Sequence, residues 1–230
     1  MADIHFLNDL LDVDVPAPED GDVLYWDEAA SLWKCKPMVA AGGIVERLVR
    51  ASSDDIEVHW NGSAWVVSLT SDAWYVGYFD SSYQKMGDAG RFLNIYIPKG
   101  ASIIHAYLKP TARTTDASTG VKSRIHGEKN ANPATFSNYA DYDARTRTTA
   151  VIDWDDIPSW TLGELYQSPD IKSIIEEIVN LDGWVSGNPI AIFWDDHEAR
   201  TATDIERLRR ARSWDHASRT PPMLYIEYRG

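Results

Sequence analysis

The chain has 230 residues and a mass of 25.9 kDa, enough for one large β domain or one domain with a smaller module. Apolar residues make up 44% and charged residues 25%, which excludes wholesale disorder. With 22 Lys and Arg against 35 Asp and Glu, the net charge is −13, so phosphate backbones and anionic membrane surfaces are repelled and neither nucleic-acid binding nor membrane insertion is expected. A single cysteine, Cys35, excludes a disulfide framework, a multi-cysteine zinc site or an iron–sulfur cluster within one chain.

The N-terminal stretch lacks a basic n-region and an apolar h-region, so no signal peptide is expected. No window approaches 18 uncharged apolar residues. Residues 1–20 are acidic, and Val15-Pro16-Ala17-Pro18 resists helix and central strand alike. The segment Gly21–Asp27, Glu28–Ser31, Leu32–Pro37 reads as a hairpin of two short strands around a polar turn. A related unit follows at Asp54–Trp60, Asn61-Gly62, Ser63–Leu69, where Asn-Gly between apolar runs is a strong hairpin signal. Trp26 matches Trp60 and Trp33 matches Trp65, a degenerate internal repeat joined by Ala40-Ala41-Gly42-Gly43. Hairpins this short do not bury their own faces, so the rest of the chain or copies of the same segment must cover them. The expected organisation is an attachment and oligomerisation segment at 1–38, a linker with the second hairpin at 39–72, and a β-sandwich domain at 73–230.

Within that last region, strand-like runs are expected at Ala73–Phe79, Arg91–Ile97, Ser102–Pro110, Val121–His126, Thr148–Trp154, Ile190–Trp194 and Met223–Tyr228. No regular strand–helix alternation is present, which disfavours a doubly wound α/β sheet. Ser168-Pro169-Asp170 opens a helix at about 169–181, because Ile171, Ile174, Ile175, Ile178 and Val179 then fall on one face. A second helix is expected over Thr203–Arg212, whose four arginines would pair with nearby carboxylates. The fold class is therefore mainly β: a jelly-roll β-sandwich with one amphipathic helix, behind a small β-hairpin N-terminal segment.

Two resemblances follow. Arg91–Ile103 with Ala106-Tyr107-Leu108, together with Val151–Trp154, Trp160, the Ser168–Val179 helix, Gly183–Asn188 and Pro221–Tyr228, resembles DNRLRE-type domains. These are jelly-roll sandwiches related to carbohydrate-binding modules, and the similarity covers about Ala73–Gly230, departing at the charged 195–220 insert. Leu10 through Trp33 resembles repeats of phage tail-fibre and virion-attached proteins, which commonly form trimeric β-structures. Together the resemblances imply a virion structural protein (tail-fibre, receptor-binding or head-decoration) assembled in a host cytoplasm. Its partners would be its own copies as a homotrimer, other virion proteins through the N-terminal segment, and a cell-surface glycan. The alternative is a carbohydrate-binding module of a polysaccharide-degrading system.

No catalytic constellation is visible. Asp153–Asp156 and Trp194–Glu198 are the best carboxylate clusters, but adjacent carboxylates in a strand point to opposite faces, whereas a glycosidase needs two about 5–9.5 Å apart across a sugar. No nucleophile elbow, P-loop, dinucleotide fingerprint or zinc spacing of histidines is present, so a non-enzymatic role is expected. No cofactor is expected beyond a structural Ca²⁺, for which Asp155, Asp156, Asp195 and Asp196 are the candidate ligands, as in sandwiches of the carbohydrate-module type. Trp160 in a Pro-Ser-Trp loop, Trp214 in the charged insert, and Asn138, Tyr139 and Tyr142 in the polar, aromatic Lys129–Tyr142 segment are the candidate glycan-binding residues.

Overall fold

The structure, a computed structural model, describes residues 13–14, 22–37 and 42–230. The acidic stretch 1–12, the double-proline stretch and the Ala40-Ala41 part of the joint lie outside them. The chain divides into two compact units, one ending at Ala41 and one spanning Gly42–Arg229.

The first unit is a three-stranded sheet of β1 (Val13–Asp14), β2 (Asp22–Asp27) and β3 (Leu32–Pro37). The central strand β3 pairs antiparallel with β2 and parallel with β1. The β2–β3 turn is held by the Asp27 carboxylate, which accepts from Ala30 N (3.1 Å) and Lys34 Nζ (2.8 Å). Trp26 lies directly opposite Trp33, with rings 5.7 Å apart and edge-on at 66°.

The second unit contains β4 (Gly43–Leu48), β5 (Asp55–Trp60), β6 (Trp65–Ser68), β7 (Ala73–Tyr78), β8 (Gln84–Phe92), β9 (Ser102–Lys109), β10 (Ser123–Glu128), α1 (Tyr139–Ala144), β11 (Arg147–Trp154), α2 (Lys172–Val179), β12 (Ile190–Asp195), β13 (Arg207–Arg212) and β14 (Met223–Arg229). Six strands run in the order β11-β10-β12-β8-β5-β6, with β7 and β13 attached at β8; β4-β14-β9 form a second sheet. All these pairings are antiparallel, and the architecture is a mainly-β sandwich.

Alternation along each strand builds the main core. Ile103, Ala106, Leu108, Leu224 and Ile226 of the three-stranded sheet share one cluster with Phe92, Ile125, Ile190, Ile192 and Trp194 of the larger sheet. Helix α2 adds Ile174, Ile175, Ile178 and Val179 to that cluster and packs on β9 and β11, as its single apolar face requires. The opposite face of the larger sheet carries a second cluster: Ile56, Val58, Ala89, Ala191 and Phe193, covered by Phe136 and Tyr142.

Several expectations are corrected. The Asp54–Leu69 hairpin is no part of a linker: β5 and β6 belong to the larger sheet, because Ile56 and Val58 need the same cover as Phe193. Its two tryptophans repeat the first hairpin's geometry, Trp60 opposite Trp65 with rings 5.6 Å apart at 69°. The turn works differently from the Asn-Gly expectation. Only Gly62 takes a positive φ (93°), and Asn61 acts through its side chain, which accepts from Ser63 N and Ala64 N. Arg91–Ile97 is a strand only to Phe92, since Asn94 turns left-handed (φ 58°). The preceding residues, with Gly87, Asp88 and Gly90, form β8 instead. Thr203–Arg212 is no helix: residues 207–212 pair along their whole length with β7, a case of tertiary context overriding propensity. Of its arginines, Arg207 and Arg210 pair with Asp204 and Asp116 as expected, but Arg209 is fully buried and donates to the carbonyls of Pro158, Ser118, Ile157 and Leu208 and to Ser118 Oγ rather than to a carboxylate.

Candidate functional site

The Lys129–Tyr142 segment, read as a binding loop, is a structural cover. Asn138 caps α1 by accepting from Asp141 N (3.1 Å). Tyr139 stacks on Trp65 (5.3 Å, 11°), and Tyr142 is buried against Phe193 and His197. Arg145 clamps the segment: it bonds to Glu128 (2.8 Å) and to the carbonyls of Ala134 and Thr135, with both members of the ion pair buried.

Trp160 sits on the other side of the sheet. It is 1% exposed, stacks on Tyr166 (4.8 Å) and neighbours Trp194 (6.0 Å), so it presents no platform to solvent. Trp214 is partly buried against the same core, with the Arg219 guanidinium 4.6 Å over its ring. The five candidate glycan residues are thus split between two faces of one sheet and form no common site.

Three of the four candidate calcium ligands are engaged by protein groups. Asp155 pairs with Arg200 (2.7 Å), and Asp153 with Arg124 (2.7 Å) and Arg200 (3.0 Å). The Arg124 hydrogen bond holds the Asp153 carboxyl below its ordinary range. Asp196 accepts from the backbone N–H groups of Arg200 (2.7 Å) and Thr201 (3.0 Å), while its burial pushes its carboxyl upward. Asp195 accepts from His197 N (3.2 Å), and Asp156 is an exposed turn residue with φ 50°. Among the described residues, no group of three or more His, Cys, Asp or Glu side chains is placed to hold a metal ion.

The unusual chemistry lies at the β5 end of the larger sheet. There the inward-facing residues are Asp55, Glu57 and His59 on β5 and Asp88 on β8, directly opposite Glu57. Strand β7 meets β8 at one pair only, Gly77–Met86, where Gly77 has φ 107° and a Cβ would meet the Arg207 carbonyl at 2.3 Å. Beyond that pair the carboxylates replace strand partners. Asp88 Oδ2 accepts from Tyr75 N (2.5 Å), and Asp55 Oδ2 accepts from Trp74 Nε1 (3.2 Å) and Trp214 N (3.1 Å). Burial pushes Asp55 up to about 7, and Asp88 well above the carboxylate range, with Glu57 raising it further. Asp88 Oδ1 is buried without a hydrogen-bond partner.

Where β7 diverges, a cleft of about 500 Å³ opens. It is lined by Glu57, Asp72, Tyr75, Phe79, Tyr83 and Arg113, with Arg210 at one side. His59 Nδ1 lies 2.9 Å from Glu57 Oε1 and its ring stacks on Tyr83 at 4.2 Å, so both cleft residues are held. Arg113 bonds to Asp72 (2.8 Å), a contact that raises the guanidinium's pKa, and its Nε is buried without a partner. The sequence reading missed this group. Its only signal was the Asp-Ile-Glu-Val-His-Trp alternation, which looks like an ordinary strand with its acids in water.

No family model and no curated protein matches the chain. Among the described residues, no helix is long and apolar enough to cross a membrane.

Proposed function

We propose that the chain is a non-enzymatic structural protein of a phage particle. In this reading its N-terminal unit attaches to other virion proteins and self-associates as a homotrimer, and its sandwich faces outward as the ligand-binding half. The observation that carries the reading is the Trp26–Trp33 pair, 45% and 40% exposed on a sheet of strands two to six residues long. Two adjoining indoles on so small a sheet leave apolar area that a second copy of the same segment would bury. The matching pair Trp60–Trp65 supports this by contrast: there Trp65 is stacked by Tyr139 and contacted by the tilted ring of His197, both of the same unit. The cover that the second hairpin receives from its own chain, the first would receive from other copies.

Light scattering after size exclusion tests it. The full chain is expected near three times 25.9 kDa, and the double variant Trp26→Ser, Trp33→Ser at a single chain's mass. A wild-type chain of single mass would overturn the reading. It would favour the second one, an appended carbohydrate-binding module, for which the aromatic-lined cleft is the supporting feature.

A further inference from the structure

We propose that the cleft between β5, β7, β13 and the Phe79–Tyr83 turn is a binding site for a neutral saccharide. Phe79 and Tyr83 form its ring platform, and Glu57, Asp72 and Arg113 are its hydrogen-bonding groups. The proposal rests on the reading above only in taking the sandwich as the ligand-binding half.

Size comes first. A space of about 500 Å³ falls inside the range of small-molecule sites, about 300–1,000 Å³. The rings come next. Tyr83 is 41% exposed, yet one of its faces is fixed by His59, which leaves an ordered ring rather than a free one. Phe79 is equally exposed and stands edge-on to it, with centroids 6.3 Å apart. Ring faces held in place give apolar contact area at little entropic cost, and the C–H face of a sugar ring is matched to them.

The polar groups select among ligands. Glu57 is 8% exposed; its Oε1 is engaged by His59, while Oε2 accepts no hydrogen bond among the described residues. Arg113 Nη2 donates to Asp72, and its Nη1 makes no hydrogen bond among the described residues. An oriented acceptor and an unused donor around one cavity suit a polyol, whose hydroxyls both give and take hydrogen bonds. Buried polar groups cost stability when unmatched, and this row occupies positions that apolar residues fill elsewhere on the same face. Charge points the same way: Arg113 is paired with Asp72 and Arg210 with Asp116 and Glu206, so the lining leaves no guanidinium over for an anion. A polyanion would also meet the repulsion of a chain of net charge −13.

The test uses the full chain on an array of immobilised oligosaccharides, then calorimetric titration with the strongest soluble binder. Wild type is expected to bind, with Tyr83→Ala and Glu57→Gln each weakening affinity by about tenfold or more and Trp214→Ala leaving it unchanged. If Tyr83→Ala does not fold by circular dichroism, Phe79→Ala takes its place. No array signal for the full chain, or affinity unchanged in both the ring and the Glu57 variants, overturns the proposal. Light scattering on the same samples separates the two readings. A single-chain mass with saccharide binding intact defeats the attachment reading alone, and a trimer that binds no saccharide defeats the cleft alone.

Discussion

The inward face of the larger sheet is built in two ways. At its β12 and β10 end it presents Ile190, Ile192, Trp194 and Ile125, all fully buried. There Trp194 stacks on Trp154 (5.3 Å), and its Nε1 donates to Ser123 Oγ (2.8 Å). At the β5 end the same face presents Asp55, Glu57, His59 and Asp88. One half is dry and closely packed; the other is ionisable and opens into a cleft. The apolar half holds the sandwich together, whereas the acidic half holds β7 through Asp88 on the Tyr75 amide and Asp55 on the Trp74 indole N–H, and leaves polar groups over for a ligand.

The largest effect that probes this contrast lies in the dry half. Trp194→Ala is expected to cost about 3–5 kcal/mol, since the indole fills space its neighbours will not close. Urea unfolding followed by far-ultraviolet circular dichroism measures it, and a loss under about 1 kcal/mol would contradict the assignment of this ring as a core element. Next comes the cover on the outer face. Arg145→Ala leaves Glu128 buried without its counter-charge, with the Ala134 and Thr135 carbonyls losing their donor, and is expected to cost about 3 kcal/mol. Hydrogen exchange should then rise first in residues 129–146, ahead of α2.

The smallest effect belongs to the acidic half, about 2 kcal/mol between pH 5 and pH 7, and appears only as pH is varied. Asp55 lies near 7 in the fold and near about 3.9 in an unfolded chain, so the folded protein retains a proton that the unfolded one has lost. The resulting stability is complete below pH 4 and declines as pH rises toward 7, by at most about 1.4 kcal/mol per unit. Asp88, raised by burial and by Glu57, acts in the same direction. Asp55→Asn keeps a carbonyl oxygen for Trp74 Nε1 and Trp214 N and removes the ionisation, so its stability between pH 5 and pH 7 should be flatter than that of wild type. Equal slopes for the two proteins would show that Asp55 ionises freely in the fold.

The same contrast explains what could be read from the sequence. Strands with apolar alternation, such as 102–109 and 223–229, and the continuous apolar run 190–195 were legible, as was the isoleucine face of α2. At β5 the pattern shows two faces without saying which one is inward. Ile56 and Val58 mark an apolar face, but that face points outward under the 129–146 cover, and the acids point inward. Nothing local distinguishes these alternatives, because the cover lies some seventy residues further along the chain. β8 was hidden for a related reason: Gly87 and Gly90 are set by close neighbours, Asp195 and Trp74, that only the fold brings near. The cleft was illegible because it exists only where β7 leaves β8.

The pairing of β4 with β14 carries one more consequence. Residues 43–48 lie beside residues 223–228, and Gly43 is opposite Tyr228, so the strand that opens the second unit waits for the strand that closes it. During synthesis the three-stranded sheet has no central strand until residue 223 and those after it emerge, while every pairing of the larger sheet is already possible once residue 212 is out. Until β14 emerges, a nascent chain leaves the β14-side edge of β9 unpaired, an interval in which copies made on one messenger stand close together.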